Sequence, residues 1–274
     1  MPRHIKTLTF EKDGTALDCA VFGTGRRTLV IIPGLSFQRV KGAALPLAYM
    51  YRTFSKEYTV YVMDKKEAVP DGYTIREMAE DAAFAMERMD LRAADVFGVS
   101  QGGMIAQYLA IDHPHLVNGL VLGVTASRKN TVMESVICGW ISLAERREYE
   151  ALVRDMLKKM YSDAYQRRYG WLFPILSKAG KPKDFSRFIA LAKACLTCDS
   201  YPELHKITCP ALVLGGKRDQ IVTGAASEEI AEKLKCQIHM YDTLGHGAYE
   251  EAPDFNKRIQ QFLNEKTAVQ GGRT

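Results

Sequence analysis

The chain has 274 residues, of which 47% are hydrophobic and 25% charged, and its formal net charge is +5. That is room for one large domain, or a domain carrying a sizeable insertion, with the composition of an ordinary globular protein. The mild, scattered positive charge excludes the clustered basic footprint of a nucleic-acid binder, and no apolar run approaches the ~20 residues a membrane-spanning helix needs.

The first segment, Met1 to Phe10, carries Arg3 and Lys6 but no apolar stretch behind them. No signal peptide is therefore expected, and the expected location is cytoplasmic, without membrane association. Ile5–Phe10 and Ala16–Phe22 alternate in polarity across Lys12-Asp13-Gly14, which predicts an opening β-hairpin. Thr28–Ile32 is a continuous β-branched run ending in Pro33-Gly34, the pattern of a strand buried on both faces. A helix is expected over Leu45–Phe54, then a strand over Tyr58–Met63, closed by Asp64. Thr74 with Glu77 three residues on predicts a capped helix running to about Met89. Strand Asp95–Val99, helix Gly102–Ile111 and strand Leu116–Val124 follow. Alternating strands and helices signal a parallel sheet covered on both faces.

From Thr125 to Ser200 the rhythm changes. No strand pattern is visible, and helices are expected over Val132–Ala144, Glu148–Tyr161, Ala164–Ser177 and Phe185–Cys198. Strand Ala211–Leu214, helix Ala225–Leu234, strand Gln237–Tyr241 and helix Asp254–Leu263 then restore the alternation. The expected fold class is thus α/β: a doubly wound, mostly parallel sheet built from residues 1–124 and 201–266, with a helical cap insertion at 125–200. The small polar stretch 267–274 is expected to be a frayed, disordered tail.

Six cysteines are scattered along the chain and form no disulfide framework. Cys195-x-x-Cys198 has no second Cys/His pair at ligand spacing, so it is read as two small apolar residues on a helix; no metal is expected.

Gly98-Val99-Ser100-Gln101-Gly102 matches G-x-S-x-G. Chance alone yields such a match in about one chain in ten of this length. Its setting is more informative, because a predicted strand leads into it and a predicted helix leads out, as a nucleophile elbow requires. Small residues two positions either side of Ser100 let a sharp turn form without collision.

A serine nucleophile needs a base, and the base an orienting acid. Sites on open α/β sheets lie at the C-terminal ends of the strands. Of the six histidines, His4 lies in the N-terminal arm, His113 and His115 at the far end of the helix after Ser100, His205 before a strand and His239 inside one. His246, in Leu244-Gly245-His246-Gly247, follows a strand end, where the flanking glycines suit an exposed loop. Asp219, just beyond Ala211–Leu214, is the matching acid, ahead of its rivals Asp64 and Asp242. The order Ser100, Asp219, His246 is that of α/β-hydrolases. Oxyanion donors are expected from the backbone amides of Gln101 and of Leu35 in the Pro33-Gly34-Leu35-Ser36 loop.

At this point the chain resembles the α/β-hydrolase superfamily over nearly its full length. The resemblance rests on Pro33-Gly34, Gly98–Gly102, His113-Pro114 followed by Leu120-Val121-Leu122, Cys209–Val213, Asp219, and His246 followed by Glu251 and Pro253. It implies a capped serine hydrolase, of the kind that includes carboxylesterases, enol-lactonases, C–C bond hydrolases and cofactor-free perhydrolases. Members with an aspartate nucleophile do not match, because position 100 is serine. Two departures stand out. Pro33-Gly34 replaces the frequent His-Gly, and Lys65-Lys66-Glu67-Ala68-Val69-Pro70 replaces a glycine-rich turn.

The expected activity is cleavage of a small-molecule carboxylic ester or lactone through an acyl-enzyme, with no metal or organic cofactor. A C–C bond hydrolase, an acyltransferase, and a hydrolase-like receptor with slow turnover are the alternatives. Trp140, Trp171 and Phe173 are candidates for lining an apolar substrate pocket. The 125–200 segment holds 14 Lys/Arg against 8 Asp/Glu, which raises the prospect of attracting an anionic substrate. The expected partner is a small acyl substrate. Oligomeric state is open, a homodimer included.

Overall fold

Runs of β-branched residues become the strands of one eight-stranded sheet. The computed structural model describes residues 5–172 and 181–271. Strands β1 (Lys6–Lys12) and β2 (Thr15–Phe22) form the predicted hairpin around Asp13-Gly14 and add an antiparallel edge. The rest are parallel: β3 (Arg27–Ile32), β4 (Tyr58–Met63), β5 (Ala94–Val99), β6 (Val117–Gly123), β7 (Ala211–Gly216) and β8 (Gln237–Tyr241). The spatial order is β1-β2-β4-β3-β5-β6-β7-β8. This is a doubly wound sheet with a reversal beside β3, the kind of place where open α/β sheets put their sites.

Both faces of β3, β5, β6 and β7 are largely buried, which is why they read as continuous apolar runs, whereas the edge strand β8 is half-buried to exposed. In β3, Val30 and Ile32 join the core under α2 (Ile75–Arg88) and α3 (Gln101–Asp112). Leu29 and Ile31 join the opposite core, with Phe97, Val121 and Phe255. The capping box at Thr74 and Glu77 forms as predicted.

Helix α1 spans Val40–Met50, earlier than the expected Leu45–Phe54. Its start was invisible locally because Arg39 offers no side-chain cap. The cap comes from another strand end: the Val40 amide donates to Asp64 Oδ2 at 2.9 Å. A short 3₁₀ turn occupies Arg52–Phe54.

Between β6 and β7 lie α4 (Thr131–Glu145), α5 (Tyr149–Met160), α6 (Asp163–Tyr169) and α7 (Ser186–Cys195). The two ends of this excursion meet, since the Ser200 amide donates to the Ser127 carbonyl at 2.7 Å and Arg128 bridges Asp199. The predicted helix over 164–177 ends at Tyr169 and continues as a 3₁₀ turn over Gly170–Leu172; its remainder lies outside the described residues. After β7 come α8 (Gly224–Leu234), the short α9 (Ala248–Glu251) and the closing helix α10 (Phe255–Gly271). The closing helix reaches Gly271, into the stretch expected as a tail. Among the described residues no helix is long and apolar enough to cross a membrane.

Candidate active site

Strand β5 delivers Ser100 into a left-handed turn, φ 54° and ψ −119°, directly before α3. A non-glycine residue there is strained by about 1–3 kcal/mol. The surroundings hold it. The Ser100 amide donates to the Gly123 carbonyl at 2.9 Å, and the Ser100 carbonyl accepts from Thr125 Oγ1 at 2.7 Å. Both motif glycines are demanded by backbone crowding. A Cβ on Gly98 would lie 2.3 Å from the Gly102 carbonyl oxygen, and one on Gly102 would lie 1.8 Å from that of Ile32. Those contacts are with backbone, which cannot step aside. Gly102→Ala should therefore destabilise the fold by more than about 4 kcal/mol, read as insoluble protein or a collapsed melting temperature. A variant melting with the wild type would contradict this packing.

Three strand ends bring the predicted side chains together. Asp219, after β7, points its Oδ2 at His246 Nδ1 across 2.8 Å. Its Oδ1 accepts the amides of Ile221 and Val222 at 2.8 and 3.0 Å, which fixes the carboxylate's orientation. His246, after β8, places Nε2 2.9 Å from Ser100 Oγ. The rival acids are engaged elsewhere: Asp242 is exposed and pairs with Lys217, and Asp64 caps α1 and pairs with Arg187 at 2.9 Å. His113 pairs with Glu80 at the far end of α3, and His205 contacts the Pro202 carbonyl.

The His246 loop is not the exposed turn its glycines suggested. Gly245, His246 and Gly247 are all buried, and the Gly247 amide donates to the Met160 carbonyl at 2.7 Å. Helix α5 and the start of α6 thus rest on the loop. Glu251 strengthens this joint by accepting the Ser162 amide at 2.9 Å as well as its hydroxyl. Glu250 accepts the Tyr161 hydroxyl, and burial pushes its carboxyl above the usual carboxylate value.

Leu35 lines the same cavity as Ser100, and Gln101 follows Ser100 in the chain. As the first residue of α3, Gln101 has an amide with no intrahelical acceptor. Among the described residues the Leu35 amide likewise has no protein acceptor. The Gln101 side chain, which sequence reasoning passed over, is fully buried and donates to the Leu191 carbonyl and to Cys195 Sγ at 3.1 Å, tying the elbow to α7. Cys195 and Cys198 are both buried, and burial pushes each thiol up to about 12, as suits packing rather than redox chemistry.

Above Ser100 and His246 is a cavity of about 50 Å³. Trp140 lines it, with its indole N–H on Asp155 at 2.8 Å. Trp171 does not: it is 68% exposed, a correction to its expected place in the pocket. An aromatic residue in a helical stretch does not reveal which way it faces. Phe173 lies outside the described residues. The lining that sequence reasoning missed is thioether: Met104, Met133, Met156 and Met160. Among the described residues no carboxylate, lysine or arginine lines the cavity. Several cations of the 125–200 segment pair at the surface instead, as Arg128 does with Glu229 and Arg146 with Glu148.

Two further features belong to the loop after β3. Phe37 stacks on Phe188 of α7, with centroids 4.2 Å apart, and meets Tyr149 of α5 edge-on. Lys65, noted in sequence only as a departure, is 6% exposed and donates from Nζ to the carbonyls of Pro33 and Gly34 at 2.9 and 2.8 Å.

A family model described as the alpha/beta hydrolase fold matches residues 51–137. The chain is 22% identical over 270 residues to 3-oxoadipate enol-lactonase 2 of Acinetobacter baylyi, covering 95% of this chain and 97% of that one. It is 29% identical over 203 residues to 2-hydroxymuconate semialdehyde hydrolase of Pseudomonas sp. (strain CF600), covering 69% of each. In structure it is similar to an alpha/beta hydrolase from a Medee basin deep-sea metagenome, with a TM-score of 0.82, 19% identity, and 94% and 97% of the two chains covered. Sheet order, strand–turn–helix elbow, family match and structural likeness agree on the fold, and the chain has the α/β-hydrolase fold.

Proposed function

We propose that this protein is a serine hydrolase that cleaves small, uncharged carboxylic esters or lactones through an acyl-enzyme. The observation that carries the reading is the unbroken chain Ser100 Oγ–His246 Nε2, His246 Nδ1–Asp219 Oδ2, at 2.9 and 2.8 Å. In this reading Ser100 Oγ attacks the carbonyl carbon as His246 Nε2 takes its proton. Asp219 holds the other imidazole proton on Nδ1 and stabilises the imidazolium that forms. The amides of Leu35 and Gln101 receive the oxyanion. The tetrahedral intermediate collapses, and His246 returns its proton to the leaving oxygen. Water then attacks the acyl group with His246 again as base, which frees the acid and restores Ser100. These steps need no metal or organic cofactor.

Residues 125–200 act as a cap that keeps the site dry. The substrate reading rests on the lining. An anionic acyl tail would be buried among methionines without a partner, at a cost of several kcal/mol. The volume suits short acyl groups, and the flexible thioethers permit limited growth. The free cysteines support a reducing, cytoplasmic setting.

Two measurements test this. A fluorophosphonate should label one residue, mapped by mass spectrometry to Ser100, and p-nitrophenyl acetate should turn over repeatedly after any burst. A single burst without turnover would favour the slow receptor, and absence of both labelling and burst would sink the reading. The kcat/KM for p-nitrophenyl acetate should also exceed that for p-nitrophenyl hemisuccinate by about 100-fold; equal values would overturn the neutral-substrate assignment. A second reading, hydrolysis of a C–C bond next to a ketone, is favoured by the similarity to a semialdehyde hydrolase; turnover of a β-diketone faster than of any ester would establish it.

A further inference from the structure

We infer that Lys65 is a positioning residue for catalysis: by holding the Gly34 carbonyl it aims and polarises the Leu35 amide as an oxyanion donor. This rests on the reading of Ser100 as nucleophile and of Leu35 as donor. Gly34 O and Leu35 N belong to one peptide unit. In a trans peptide, carbonyl and N–H point in opposite directions. A carbonyl pinned to Lys65 Nζ at 2.8 Å therefore turns the Leu35 N–H the other way, toward the cavity that Leu35 and Ser100 share. The unit is close enough to matter, since a Cβ on Gly34 would lie 3.2 Å from Ser100 Cβ. Hydrogen bonds in series strengthen one another, and an ammonium on the carbonyl makes the amide a better donor.

Lys65 is itself held in place. The residue follows β4, and its own amide donates to Asp64 Oδ1 at 2.8 Å. Arg187 on α7 bonds Asp64 Oδ1 and the Lys65 carbonyl. The amine's two carbonyl acceptors lie in the loop after β3, and no other acceptor is provided for it among the described residues. A buried lysine directed at two carbonyls of one loop is costly to maintain unless that loop's shape matters. Around it stand Asp64, which favours its charge, Arg187, which opposes it, and the Cys195 thiol, itself protonated in this range; burial dominates and pushes the amine down to about 8. The proton is thus lost as pH rises through that value. The neutral amine that remains donates more weakly, roughly by half.

The test is pre-steady-state acylation by p-nitrophenyl acetate, with Lys65→Met, Lys65→Arg and Ser100→Ala beside wild type. In Lys65→Met the acylation rate constant per active site should fall about 10–100-fold, with burst amplitude and KM close to wild type. A role confined to stability would instead lower the amplitude and leave the rate constant unchanged, and that result overturns the inference. So does a rate constant within threefold of wild type. Should Lys65→Met fail to fold, the wild-type profile decides: the acylation rate should decline severalfold between pH 7 and 10 with a midpoint near 8, and a flat profile overturns the inference. In Lys65→Arg, which keeps its charge, the decline should disappear; its persistence also overturns the assignment. An active Ser100→Ala enzyme would defeat the underlying reading, whereas a dead Ser100→Ala with an unimpaired Lys65→Met would defeat only the role of Lys65.

Discussion

Ser100→Ala should lower kcat for p-nitrophenyl acetate by about a million-fold, to the residual rate that binding and oxyanion donors alone provide. The substitution removes the hydroxyl oxygen 2.9 Å from His246 Nε2, and the thiol of Cys195, buried against Gln101 and held protonated, does not replace it. Folding should not suffer, because Ser100 Oγ makes no contact that stabilises the elbow; the turn is held through the residue's backbone, by Gly123 and Thr125. Steady-state rates corrected for spontaneous hydrolysis, together with thermal melting, check both halves. Activity within tenfold of wild type would exclude Ser100 as nucleophile.

Asp219→Asn should cost about 10⁴-fold in kcat while leaving the fold intact. The reason is the direction of its hydrogen bonds. Asp219 Oδ1 accepts two amides, from Ile221 and Val222, so an asparagine there keeps its oxygen on that side. Its NH₂ then faces His246 Nδ1, where Oδ2 stood, and donates. The imidazole is forced to carry its proton on Nε2 and can no longer accept from Ser100. The expected signature is a fall in kcat with little change in KM or melting temperature. A kcat within tenfold of wild type would show that the acid lies elsewhere.

Much of the sheet was legible because burial on both faces writes parallel strands as continuous apolar runs, as in Leu29–Ile32. Ser100 was legible for a related reason: the glycines around it answer to backbone crowding that any side chain would violate. Asp219 and His246 could be picked out by their places after strand ends, and the structure brings them to Ser100. What stayed hidden depends on contacts between distant segments. Helix α1 begins where Asp64 supplies a cap that no neighbouring residue announces. Lys65 stood out in the sequence only as a departure from a glycine-rich turn, because a lysine is usually solvated and its partners, the carbonyls of Pro33 and Gly34, lie about thirty positions away. Trp171 read as a pocket residue because composition carries no direction. The methionines around the cavity come from α3, α4 and α5, and no spacing in the chain groups them.

The carboxylate of Asp64 has a consequence for how the molecule assembles. It joins Val40, 24 positions before it, to Arg187, 123 positions after it, and Ser100 meets His246 across 146 positions. Closing loops of that length is entropically unfavourable until most of the chain is already ordered. The sheet can form from nearer pairings such as β3 with β5, but the frame behind the Pro33–Leu35 loop exists only once α7 has docked. The inserted helices therefore do more than cover the site: until α7 is in place, the loop that carries Leu35 lacks part of its support.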